Sequence, residues 1–153
     1  MERIYREEFK IRTYHTDSNL VASLPALLNF LLDSAGIHAS HLKIGVGDLN
    51  RKNHTWVLAR MLVEVESYPV LGESVLVETW PKGFDRLFAS RDFFIRDNEG
   101  KIIARASTYW LIIDLETKRP KALKEIPPQL LNPDQVVLLQ KLGHLQETCF
   151  EGL

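Results

Sequence analysis

Between residues 4 and 14, Tyr5, Phe9 and Ile11 fall on one side of an extended chain and Arg6, Glu8, Lys10 and Arg12 on the other. That two-residue period predicts a half-buried strand. After the polar turn His15-Thr-Asp-Ser-Asn19, Leu24, Leu27, Leu28, Leu31, Ala35 and Leu42 return at helical spacing, which predicts one long helix with a single apolar face. Ser23 supplies an N-cap, and Pro25 fits the first turn. Gly36 inside this helix costs about 1 kcal/mol relative to alanine, so it marks either a local irregularity or a close approach to the backbone. Residues 44–55 read as a loop whose two glycines are too few to cradle a phosphate. Four β-rich runs follow at 56–66, 73–80, 87–96 and 101–114. Turn residues at Tyr68-Pro-Val-Leu-Gly72, Pro81-Lys-Gly83 and Asp97-Asn-Glu-Gly100 separate them. Such short connections predict antiparallel pairing. The run 56–66 is apolar on both faces, which predicts a central strand covered on both sides, one side by a second layer such as a partner subunit.

Beyond Asp114 the polar stretch to Pro120 is expected to leave the sheet. Asn132-Pro133-Asp134 predicts the start of a last helix over about 133–147. The division is a domain over 1–130 and a C-terminal helix and tail over 131–153. One apolar helix face and one large curved antiparallel sheet make a two-layer α+β domain, the hotdog arrangement of a sheet wrapped around a long central helix.

The whole chain has 153 residues, 45% hydrophobic and 25% charged, enough for one sizeable core and too apolar for disorder. A net charge of -1 removes any default expectation of nucleic-acid binding. The single cysteine, Cys149, builds neither an internal disulfide nor a cysteine zinc cage, and this fits a reducing cytoplasm. Neither a membrane-spanning run nor a signal core is visible, so no membrane partner is expected. His38 and His41 lack the spacing of a zinc helix, so no metal is expected. A G-x-S-x-G elbow is absent and Cys149 has no base nearby in sequence, so a covalent acyl-enzyme is not expected. No cofactor is expected either.

The 26-residue run Thr55-Trp-Val-Leu-Ala-Arg-Met-Leu-Val-Glu-Val-Glu-Ser-Tyr-Pro-Val-Leu-Gly-Glu-Ser-Val-Leu-Val-Glu-Thr-Trp80 closely resembles the acyl-acyl carrier protein thioesterase family of bacteria and plants. Arg91-Asp-Phe-Phe-Ile-Arg-Asp and Ala106-Ser-Thr-Tyr-Trp-Leu-Ile-Ile-Asp114 extend the resemblance, which covers about residues 5–130. It implies hydrolysis of the thioester between a fatty acyl chain and its carrier protein, in fatty acid biosynthesis, by two tandem hotdog repeats. This chain resembles the first repeat alone. The family's catalytic run, Asp-x-Asn-x-His-Val-Asn-Asn, belongs to the second. The corresponding turn here, Asp17-Ser-Asn19-Leu-Val21, keeps the Asp and Asn and puts Val21 where the histidine would stand.

Thioester hydrolysis needs a polarised carbonyl, a positioned water and a base. Asp17 is the candidate to activate water and Asn19 to position it, although both are also ordinary turn residues. Without a histidine at 21, a second group is needed, either His54 or Asp33 across a dimer interface. His54 also reads as part of a solvated loop. Leu28, Leu31, Trp56, Met61 and Phe88 are the candidate wall of an acyl slot, among positions that mostly form core. Lys82, Arg86 and Arg91, with Lys118, Arg119, Lys121 and Lys124, are the candidate contacts to an acidic carrier protein or, equally, a solvated basic surface. The expected partners are acyl carrier protein or coenzyme A thioesters and a second hotdog, most simply another copy. Two other readings stay open: a non-catalytic acyl-binding or dimerisation module, and a dehydratase-like hotdog acting on β-hydroxyacyl thioesters.

Overall fold

The computed structural model describes residues 3–123. β1 (Tyr5–Lys10) alternates half-buried and exposed positions as its period requires. α1 (Leu24–His41) starts at Ser23, whose Oγ accepts from the Ala26 N–H at 3.3 Å. Its buried positions, Ala26, Leu27, Phe30, Leu31, Ser34, Ala35 and His38, form one stripe. The helix runs unbroken through Gly36, where an added Cβ would meet nothing within 4 Å. Neither a kink nor a close approach explains that glycine. A short α2 (Val46–Asn50) interrupts the segment expected to be loop.

β2 (His54–Val65), β3 (Ser74–Phe84), β4 (Ala89–Arg96), β5 (Ile102–Asp114) and β6 (Pro120–Lys121) complete the sheet. Its order is β1-β3-β4-β5-β2, all antiparallel, with β6 added to β5. Three expectations need correction. β3 continues through Pro81 and Gly83, which pair with Arg91 and Ser90, and Lys82 between them is the extra residue of a register shift, a bulge beside the residue that cannot donate to the ladder. The turn falls later, where Asp85 N–H donates to the Phe88 carbonyl at 2.9 Å. β2 is the last strand in the order and not a central one. The stretch after Asp114 returns to the sheet as β6, because Asp114 Oδ1 accepts from the Glu116 and Thr117 N–H groups and closes a tight turn. The expected C-terminal helix, and the boundary at residue 130, lie outside the described residues.

Leu27, Leu31 and Ala35 of α1 meet Val75, Val77, Phe93, Ile95 and Ala106 of the sheet in one buried cluster. This is the α+β hotdog fold. Among the described residues no helix is long and apolar enough to cross a membrane.

On β3, Glu78 receives Arg6 from β1 at 2.9 Å and Arg96 from β4, tying three strands through one carboxylate. Burial alone would raise the Glu78 carboxyl, but the Arg96 and Arg6 guanidiniums outweigh it and hold the group below the ordinary carboxylate range. A folded-state pKa depressed in this way adds stability above the unfolded pKa, and that stability is lost as pH falls through the folded value. Thermal melts between pH 7 and pH 3 are therefore expected to show a smaller acid-dependent loss for Glu78→Gln than for the wild type. An equal loss would show that this carboxylate contributes nothing to acid sensitivity.

Candidate functional site

Small residues on one flank of α1 leave a space against the sheet. Ala35, Gly36 and Ala39 face Trp56 of β2, Pro81 of β3 and Trp110 of β5, lining a half-open apolar cavity of about 150 Å³. The polar atoms of both indoles are already bonded. Trp56 Nε1 donates to the Ile44 carbonyl at 2.7 Å and Trp110 Nε1 to Thr108 Oγ1 at 2.8 Å. What the rings offer the cavity is therefore hydrocarbon, and an apolar guest displaces water from it favourably.

One cation breaks this apolar wall. Arg91 lines the cavity although it is only 7% exposed. Its Nη1 donates to Thr79 Oγ1 at 3.1 Å and meets His38 Nδ1 at 3.0 Å. A guanidinium only donates, so Nδ1 accepts, which places the imidazole proton on Nε2. Burial pushes the Arg91 guanidinium down to about 10, so it remains a cation at neutral pH.

The other expected residues are dispersed. Asp17 is exposed, and its Oδ1 accepts from the Asn19 N–H at 2.8 Å and the Val21 N–H at 3.1 Å, holding the turn ahead of α1. Asn19 is exposed on the same turn. His54 opens β2, with Nε2 3.9 Å from Asp114 Oδ2. The loop before β2 leaves the C-terminal end of α1, whereas Asp17 precedes its N-terminal end. An 18-residue helix separates them, about 27 Å at 1.5 Å per residue. One copy therefore does not bring Asp17 and His54 together. Asp33 is exposed on α1.

Of the five expected slot residues, Trp56 lines the cavity. Leu31 belongs to the core cluster, Leu28 and Met61 pack against it, and Phe88 lies edge-on to Tyr109 at 6.1 Å. Of the three expected carrier contacts, only Arg86 is exposed; Lys82 and Arg91 are buried, with Lys82 Nζ 4.0 Å from Asp92 Oδ2. A charge enclosed in this way has no surface to give a docking protein. The structure also joins two basic stretches far apart in sequence. Leu123 N–H donates to the Arg86 carbonyl at 3.2 Å, which sets the segment carrying exposed Arg119 and Lys121 beside the Arg86 turn.

Sequence reasoning passed over His15, which it grouped with the polar turn. Its carbonyl accepts from the Ser23 N–H at 2.9 Å, so it sits beside the Asp17 turn at the start of α1. Burial and then the Arg12 guanidinium lower its pKa, and with Asn29 and Asp33 it lines an open groove. The Arg12 N–H donates to its Nδ1 at 2.8 Å, and the ring packs edge-on against Phe30 of the following helix, a contact that spacing alone does not signal. Among the described residues no group of three or more His, Cys, Asp or Glu side chains is arranged to hold a metal.

A family model for the acyl-ACP thioesterase N-terminal domain matches residues 2–131. The chain belongs to the acyl-ACP thioesterase family. It is 34% identical over 146 residues to a palmitoyl-acyl carrier protein thioesterase, chloroplastic, of Arabidopsis thaliana, covering 88% of this chain and 35% of that protein. A crystal structure of an acyl-ACP thioesterase from Bacteroides thetaiotaomicron superposes with a TM-score of 0.81 at 35% identity, over 88% of this chain and 55% of that one. A DHNA-CoA thioesterase from Staphylococcus aureus shares the fold at 19% identity, with a TM-score of 0.73 over 98% of this chain and 95% of that one. The chain spans about a third of the length of its curated family relative and about half of the bacterial family member.

Because Gly36 meets no neighbour, replacing it by alanine adds helix propensity without strain. Gly36→Ala is expected to stabilise the fold by about 0.5–1 kcal/mol, read as a higher urea midpoint at unchanged slope. A lower midpoint would mean that the bare backbone at 36 is required.

Proposed function

We propose that this chain is the acyl-binding hotdog unit of an acyl-ACP thioesterase, and that it hydrolyses fatty acyl thioesters together with a second hotdog unit. The apolar cavity between α1 and the sheet, in a chain of this family, carries the reading. Methylenes entering it gain about 0.8 kcal/mol each, so a few suffice to hold an acyl chain. The last strand of the sheet, β2, offers the edge for a second unit, with half-exposed apolar positions along it. A second copy is the simplest such unit.

In this proposal Asp17 takes a proton from the attacking water and Asn19 orients it. The N–H groups at the start of α1 stabilise the oxyanion as the thiolate leaves. The assisting imidazole comes from the second unit as His54, or from His15 beside the same turn. Exposed Arg86, with Arg119 and Lys121, receives the acidic carrier protein. Val21 favours a second reading, a non-catalytic acyl-binding module. It bridges to Val70 as plain extended backbone, at the position where the family motif places histidine.

With purified protein and octanoyl-ACP, Asp17→Ala is expected to lower kcat/KM about a hundredfold or more, and Asn19→Ala by a smaller factor. Undiminished rates in both would remove these residues from the mechanism, and a wild type without activity would favour the non-catalytic module. Arg86→Glu is expected to raise KM for octanoyl-ACP roughly tenfold, with little change for an uncharged N-acetylcysteamine thioester. Equal effects on both substrates would rule out a docking role.

A further inference from the structure

Among the described residues, no carboxylate pairs with the buried Arg91 guanidinium. Of its five N–H donors, the two on Nη1 are used by His38 and Thr79, both neutral in this arrangement. The three on Nε and Nη2 make no hydrogen bond to a described residue. The carboxylate next along the chain cannot serve. Successive strand residues point to opposite faces, and Asp92 is turned to the other side of the sheet, where Ser107 Oγ donates to it at 2.8 Å and Lys82 lies 4.0 Å away. Burial without a counter-charge also lowers the guanidinium pKa, with no opposing carboxylate to hold it up.

Leaving such donors without an acceptor is costly, and these three are reached from the cavity and not sealed in the interior, where among the described residues Ser34 Oγ and Trp80 Nε1 are the side-chain atoms without a partner. Here the open side of the group is the apolar cavity. A plain hydrocarbon guest would leave the cost in place, because methylenes accept no hydrogen bond. A guest with two acceptor oxygens and one negative charge on an apolar body removes it, since a carboxylate matches the planar guanidinium edge.

We propose that Arg91 anchors the carboxylate of a short- or medium-chain carboxylic acid whose hydrocarbon body occupies the cavity against Trp56 and Trp110. This rests on the reading of that cavity as the acyl slot and adds a polar end to it. The volume of about 150 Å³ is of the size that admits a benzene-sized guest in other apolar interiors, which favours a short body. The carboxylate has two sources, a free fatty acid and the far carboxyl of a dicarboxylic acyl chain.

The test is calorimetric titration of the whole chain with octanoate, octanamide and 1-octanol. Octanoate is expected to bind at least tenfold more tightly than either neutral analogue, and Arg91→Met is expected to abolish that preference while leaving 1-octanol affinity unchanged. The melting temperature of Arg91→Met is expected to match or exceed that of the wild type, since an unpaired buried charge is removed. Should that variant fail to fold, the role is overturned in favour of a structural one unless the wild type keeps its octanoate preference and Arg91→Lys weakens it. Equal binding of all three ligands overturns the anchor and leaves the acyl slot standing; no binding of any overturns both. Tighter binding of adipoyl than hexanoyl N-acetylcysteamine thioester identifies the far carboxyl as the source, and a preference confined to octanoate identifies the free acid.

Discussion

Helix α1 has one place to bury Leu27, Phe30, Leu31 and Ala35, and that is the face that β3, β4 and β5 turn towards it. An isolated helix of 18 residues is marginal in water, and the sheet without a covering layer would expose Val75, Val77, Phe93 and Ile95. Each layer is therefore the other's condition. A fully buried aliphatic side chain contributes about 1.5–3 kcal/mol, so the handful at this contact outweighs any single hydrogen bond or ion pair in the molecule. The cavity exists because the same helix carries Ala35, Gly36 and Ala39 further along, where large side chains would have closed the layers completely.

How far the sequence revealed this follows from how local each feature is. The alternation of β1 and the stripe of α1 are periodicities of the chain itself, and both elements form where they are predicted. Ser23 is likewise a local signal, and it caps the helix. Pro81 and Gly83 misled because turn composition was read without the ladder around them, which pairs both and takes up the irregularity at Lys82. β2 misled for a related reason. Apolar residues on two faces mark a strand that needs cover, and position within a sheet is decided by pairing partners distant in sequence.

The site was less legible than the fold. Asp17, Asn19 and His54 are polar residues in turns or at a strand start, and although the helix between them is legible, the sequence does not say that the chain leaves His54 at its far end. Leu31 and Trp56 look equally suited to a slot in one dimension. In three, one belongs to the core and the other lines the cavity with Trp110. Arg91 is the clearest case. In sequence it was one of several cations near the middle of the chain, yet alternation along β4 turns it inward, and Arg86 outward on the preceding turn. Family resemblance located the right block of residues but carried no information about which charges are enclosed.

The register shift between Leu58 and Arg60 of β2 changes which backbone groups point away from β5 halfway along a 12-residue strand. A flat uninterrupted margin would accept a neighbour in many alignments and invite stacking without end. The kink breaks that translational sameness, so an incoming strand finds its hydrogen-bonding groups in step at one offset and out of step at others. The irregularity thus acts as a key cut into the rim of the molecule, narrowing the offsets at which any further strand could align with it.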